Sequence, residues 1–159
     1  MGKSNNNNVE FCFLAEPTDV NFGGKVHGGM VMKWIDQASY ACAAKWSKRY
    51  SVTVSANGIR FIRPILVGQM VTVTASIVHT GRSSMHIYVV VRARDPKEDS
   101  LVITNRCFIT FMATDESGYP VKVPAFEPKC EEEKMLEQVA MHDGKDQQQD
   151  SNDDEMTFF

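Results

Sequence analysis

Asn21, Asp36 and the glycines between them are the residues of this sequence whose types and spacing can do chemistry. The stretch Asn21-Phe22-Gly23-Gly24-Lys25-Val26-His27-Gly28-Gly29 places four glycines within seven positions, directly ahead of the apolar run from Met30 to Ala44. A glycine-rich loop that opens a helix leaves the first helical N–H groups unpaired and lets another molecule approach the main chain, which suits a developing negative charge. Asp36 falls in the middle of that helix, among Trp34, Ile35 and Ala38. A carboxylate in apolar surroundings loses hydration and needs a partner or a task.

These groups suit reaction at a polarised carbonyl. N–H donors at Gly28 and Gly29 can hold the carbonyl oxygen, Asp36 can act as general base on water or attack the carbon itself, and Asn21 offers both a donor and an acceptor. Helical rise puts Asp36 about 10 Å beyond Gly29 along the axis, whereas each contact to one carbonyl must be near ~3 Å. The site is therefore predicted to be composite, the helix N-terminus of one protomer facing Asp36 of another, with an inactive monomer. Plainer roles compete: Asp36 paired with a basic side chain, Asn21 bonded to its own loop, and His27 packed rather than moving a proton.

The elements that must position these residues follow from periodicity. Met30, Val31, Trp34, Ile35, Ala38, Ala41, Cys42 and Trp46 cover nearly every face of the helix, which predicts an enclosed helix ending near Trp46. Ahead of it, Glu10 to Ala15 reads as a first strand. From Ser51 the period changes to two: Val52, Val54 and Ala56 share one face, and Ile59 and Phe61 resume with opposite parity, so a bulge is expected at Asn57-Gly58. Gln69–His79, Met85–Ala93 and Leu101–Ala113 alternate likewise, joined by the turn His79-Thr80-Gly81-Arg82 and the polar connection Asp95–Ser100. One helix with an antiparallel meander is an α+β layout in which a sheet wraps a helix.

At 159 residues and 43% hydrophobic, one domain with one core is expected. The net charge of −3 is uneven: residues 142–159 hold six acids and one base, leaving a body at +2 and a tail that reads as acidic and disordered. That body suits a phosphate-bearing ligand but lacks the dense basic face of a nucleic-acid binder. Neither a membrane span nor the apolar core of a signal peptide is read, so a cytoplasmic location is expected. Cys12, Cys42, Cys107 and Cys130 lack paired metal-ligand spacing and read as small core residues, without zinc or disulfides.

The segments NFGGKVHGGMVMKWIDQASYA, FIRPILVGQMV and HTGRSSM, in that order, resemble the acyl-CoA thioesterases of the hotdog fold over residues 10–126. The resemblance implies an antiparallel five-stranded sheet wrapped around a central helix, protomers joined edge to edge as a homodimer, and dimers gathered as a trimer of dimers. Asn21 and Asp36 match the family's catalytic positions. Some two-domain relatives keep the Asn in one repeat and the Asp in the other, whereas this chain has both. The implied substrate is a fatty acyl-CoA, cleaved to fatty acid and CoA. Gly28 and Gly29 would then bind the thioester oxygen, and Arg82, Ser83 and Ser84 the CoA phosphates. No metal or resident cofactor is implied, since CoA is part of substrate and product. An apolar tunnel beside Trp34 and Tyr40 would set acyl length. The expected organisation is a flexible N-terminus at 1–8, the hotdog domain at 9–126, a C-terminal helix at 127–141 and the tail at 142–159. A non-catalytic acyl-CoA-binding or regulatory module is the alternative. A hotdog dehydratase would need a catalytic His in a different motif.

Overall fold

The computed structural model describes residues 6–154 in backbone and side chains as far as His142. Strand β1 (Asn8–Leu14) leads through a 3-10 turn (Pro17–Asp19) and the glycine loop into helix α1 (Gly28–Ser47). Strands β2 (Ser51–Phe61), β3 (Met70–Thr80), β4 (Ser84–Arg94) and β5 (Val102–Ala113) follow, then helix α2 (Glu131–Asp154). The strands form one antiparallel sheet in the order β1-β3-β4-β5-β2, which leaves β1 and β2 as its edges.

Alternation decides what the central strands bury. Val71, Val73, Ala75 and Ile77 on β3, and Met85, Ile87, Val89, Val91 and Ala93 on β4, face α1 and are almost fully excluded from solvent. Cys107, Ile109, Phe111 and Ala113 continue that face on β5. Leu101 and Ile103 do not: the β4–β5 register slips between Val91 and Arg92, and both side chains are exposed.

Helix α1 buries a stripe of Val31, Trp34, Ile35, Ala38 and Cys42, spaced as one face of a helix. Ser39 and Ser47 join the buried side because each hydroxyl donates to the carbonyl four residues back, at 2.7 and 2.8 Å. The expected enclosed helix is corrected here. Lys33, Asp36, Gln37 and Tyr40 are exposed, because the sheet covers one side of α1 and nothing among the described residues covers the other. The helix ends at Lys48, whose left-handed φ of 58° lets its N–H bond the Ala44 carbonyl.

The bulge at Asn57-Gly58 is present: the β2–β5 register shifts between Asn57 and Arg60, and Gly58 takes φ 56°. A second shift, between Thr53 and Ser55, was not foreseen. The apolar residues of β2 also differ from expectation, since an edge strand that meets α1 along only one seam leaves Val52, Val54, Ile59 and Phe61 exposed.

On the other face of the sheet lies α2, which buries Ala140 and brings Glu137 within 3.5 Å of His79. Burial first, and the neighbouring His79 second, push the pKa of His86 down. The helix runs to Asp154 rather than ending at 141, so it takes in much of the segment read as a tail; residues 1–5 and 155–159 lie outside the described residues. All four cysteines are free thiols. Cys42 and Cys107 are core residues, whereas Cys12 and Cys130 are exposed, contrary to the expectation for them. Among the described residues no helix is long and apolar enough to cross a membrane.

Candidate active site

The glycine loop is fixed by its own backbone. Asn21 N–H donates to Lys25 O at 2.7 Å, Gly24 N–H to Asn21 O at 3.0 Å, Val26 N–H to Ile65 O at 2.8 Å and His27 N–H to Asp19 O at 3.0 Å. Gly24 sits at φ 75°, which a side chain would resist. The Asn21 side chain belongs to this turn: its Oδ1 accepts from Gly23 N–H at 2.9 Å and Lys25 N–H at 3.2 Å. Its acceptor is thus committed to the loop, and its Nδ2, unpartnered among the described residues, remains as an outward donor.

His27 closes the loop and starts α1. Its carbonyl accepts from Met30 and Val31, and its side chain makes no capping bond. Gly28 and Gly29, the first two helical residues, keep N–H groups with no acceptor among the described residues. A Cβ on Gly28 would stand 3.5 Å from the Phe61 ring, so the end of β2 packs on the helix start. One on Gly29 would meet nothing within 4 Å among the described residues. Packing inside the protomer therefore gives no reason for a glycine at 29, whereas close approach by another molecule does.

Asp36 stands on the open side of α1, and the Thr53 hydroxyl of β2 donates to its Oδ1 at 2.7 Å. One turn further, Tyr40 lies 5.9 Å from Tyr50 and 6.5 Å from Phe111, ring centre to ring centre. The seam between α1 and β2 thus presents Phe61 on Gly28, Thr53 on Asp36 and Tyr50 on Tyr40. Trp34 is not on it: its ring packs edge-on to Phe13 at 4.8 Å on the β1 side, so Tyr40 alone of that pair lines the exposed groove.

Arg82, Ser83 and Ser84 form the β3–β4 turn. Gly81 N–H bonds Ser84 O at 3.0 Å, Ala113 N–H bonds Ser83 O at 2.9 Å and Val123 N–H bonds Arg82 O at 2.8 Å. This turn adjoins the end of the sheet where Ser51 pairs with Ala113, while the glycine loop adjoins the other, where Phe61 pairs with Asn105. Within one protomer the structure joins Asp36 to Thr53 and leaves Asn21, Gly28 and Gly29 in the loop and first turn, with Arg82–Ser84 at the far end.

Thr53 escaped the sequence reading because nothing local marks it. A threonine in an alternating strand is ordinary, and only the crossing of α1 over β2 aims its hydroxyl at Asp36.

Residues 23–100 match the model of the thioesterase superfamily. Protein VdlD of Helicobacter pylori is 36% identical over 121 residues, which are 76% of this chain and 69% of that protein. The crystal structure of an apo-hexameric acyl-CoA thioesterase shares 32% identity at a TM-score of 0.87, over 91% of this chain and 92% of the other. An acyl-CoA hydrolase of Staphylococcus aureus, solved with butyryl coenzyme A, coenzyme A and coenzyme A disulfide, shares 25% identity at a TM-score of 0.87, over 94% and 92%. That hydrolase has also been characterised with alanine replacing an asparagine, an aspartate and a threonine, separated by the same intervals as Asn21, Asp36 and Thr53.

Proposed function

The chain belongs to the hotdog-fold acyl-CoA thioesterases and is an acyl-CoA thioester hydrolase; from that premise we propose that it cleaves fatty acyl-CoA to fatty acid and CoA at a site shared by two protomers. The observation that carries the shared site is the separation of its parts. Asp36 and Thr53 form a bonded pair on an exposed seam, and the unpaired Gly28 and Gly29 N–H groups lie about 10 Å along the helix. A second copy, its helix antiparallel to the first, brings Asp36 of one chain to the helix N-terminus of the other.

The open edge of β2, eleven residues long with Val52, Val54, Ile59 and Phe61 exposed, supports edge-to-edge pairing as the way two copies meet. The hexameric relative supports three such dimers per particle.

In the proposed reaction the thioester oxygen lies against Gly28 and Gly29 N–H, where the helix dipole and the unpaired donors stabilise the developing oxyanion. Asp36 accepts a proton from water as the water oxygen bonds to the carbonyl carbon. The C–S bond then breaks, the fatty acid leaves, and the CoA thiolate takes up the proton. Thr53, donating to Oδ1, holds the carboxylate so that Oδ2 faces the water. The Asn21 amide donates to the substrate or the water, and Arg82, Ser83 and Ser84 bind the CoA phosphates. No metal or resident cofactor enters these steps. A cytoplasmic location is part of the same reading, in keeping with free thiols at Cys12 and Cys130.

Mixed dimers test it. One Asn21→Ala chain paired with one Asp36→Ala chain retains a single intact site and should recover about half the wild-type thiol release per dimer, while each parent homodimer is inactive. Inactive mixed dimers would sink the shared site. Acyl-CoA binding without thiol release by the wild type would replace hydrolysis with a binding role.

A further inference from the structure

Arg60 of β2 and Arg106 of β5 stand directly opposite one another in their antiparallel pair. Like charges so placed repel, and the pairing works against the fold unless an anion lies between them. Among the described residues neither guanidinium takes part in an ion pair. Two acids of α2 are engaged elsewhere, Glu137 with His79 at 3.5 Å and Glu133 with the Lys129 N–H at 2.6 Å. Arg106 precedes Cys107, whose side chain lies in the core beneath α1, so by alternation both arginines project from the opposite face, where α2 crosses the sheet.

On that face the two arginines line a cleft of about 310 Å³ together with Tyr88, Phe108, Leu136 and Val139, and no acid lines it. Tyr88 and Phe108 are opposite one another on β4 and β5, their rings centred 4.9 Å apart. Phe108 is two residues beyond Arg106 on β5, which puts the aromatic pair about 7 Å along the strands from the arginine pair. Leu136 and Val139 come from α2, and Val139 stays 46% exposed although it faces the cleft. The cleft is therefore cationic at one end and apolar along the rest, and its volume falls at the lower end of the range for small-molecule sites.

We propose that this cleft binds the anion of a medium-chain fatty acid, its carboxylate held between Arg60 and Arg106 and its alkyl chain laid on Tyr88 and Phe108 beside Leu136 and Val139. A guanidinium pairs with a planar carboxylate through two parallel hydrogen bonds, and one carboxylate set between two guanidiniums relieves their repulsion. A CoA head is polar along its whole length, which the aromatic floor and the α2 wall do not suit. The cleft is separate from the seam of Asp36 and Thr53, since Thr53 opposes Phe111 and so projects toward α1. Binding there does not rest on the hydrolase reading, although the ligand is of the class that hydrolysis would release.

The probe is decanoate carrying a diazirine at the far end of its chain, photolysed with the full-length protein and mapped by mass spectrometry. Label should fall within residues 84–94, 102–113 or 131–142, and decanoate should compete for it while decanol does not. Arg60→Gln and Arg106→Gln should each weaken labelling by about tenfold or more, the cost of a charge-assisted bond, with thiol release unchanged and the urea midpoint not lowered. An unlabelled wild type overturns the proposal, as does label confined to the groove at Tyr40 and Tyr50. Equal competition by decanol would show that the arginines take no part and would overturn it too. A lower particle mass in Arg106→Gln would replace the fatty acid with a second copy of the chain as the occupant. Failure of the hydrolase reading is seen separately, as a wild type that releases no thiol from acyl-CoA yet still takes the label.

Discussion

On β3 and β4 every second side chain is apolar and is sealed beneath α1; on β2 the apolar side chains Val52, Val54, Ile59 and Phe61 stand between 38 and 57% exposed. The difference is one of position in the sheet. Central strands have neighbours on both sides and a helix above, and their side chains answer only to packing. The β2 edge has one strand neighbour and meets α1 along a single seam, and the polar contact of that seam, Thr53 to Asp36, joins the groups proposed to do chemistry. Stability is concentrated in one region and chemistry in the other, so substitutions should separate them.

The largest expected effect breaks chemistry and spares the fold. Asp36→Ala should lower kcat by roughly 10²–10⁴-fold, the range for removing a general base. Its urea midpoint should stay near the wild-type value, because the side chain is exposed. Phe111→Ala is the converse: its ring is 1% exposed, and truncation should cost about 3–5 kcal/mol of stability. Measuring thiol release and urea unfolding on both variants tests the division. An Asp36→Ala chain that unfolds as readily as Phe111→Ala would show that the seam holds the fold together after all.

Thr53→Val sharpens the same contrast within the seam. The substitution keeps the branched shape and removes the 2.7 Å bond to Asp36. A bond to a charged group is worth about 1.5 kcal/mol or more, so kcat should fall by about tenfold, well short of losing Asp36 itself. An unchanged rate would mean that Asp36 is oriented from the second protomer rather than from β2.

How much of this was legible in the sequence follows the same line between regions. The inward residues of β3 and β4 were readable because strict alternation has one solution when a face must be buried. The bulge at Asn57-Gly58 was readable because parity reversed across it, whereas the slip at Thr53/Ser55 left no such mark. Asp36 and the glycines stood out by residue type, yet the exposure of Asp36 did not, since α1 is apolar enough to look enclosed and the sequence does not show that the sheet covers only one of its sides. Thr53 depends wholly on which strand residue the fold sets beside Asp36, and no local pattern encodes that.

The smallest effect concerns the thiols, which divide between buried and exposed surroundings in the same way. Burial pushes the Cys42 thiol up to about 12 and the Cys107 thiol up to about 11, from an ordinary value of 9.0. A raised pKa in the folded state means that between pH 9 and 11 the unfolded chain holds fewer protons than the folded one. The contribution of these thiols to stability is therefore complete below about pH 9 and is lost as pH rises toward the folded values. Urea midpoints taken from pH 8 to 10.5 should decline, and the decline should be shallower in Cys42→Ala, which has lost one of the two titrating groups. Alkylation gives a second reading at pH 8, where Cys12 and Cys130 should react promptly and Cys42 and Cys107 only as the chain opens. Four thiols reacting at one rate would mean that the sheet opens as easily beneath α1 as at its edges, and the contrast between core and seam would fail with it.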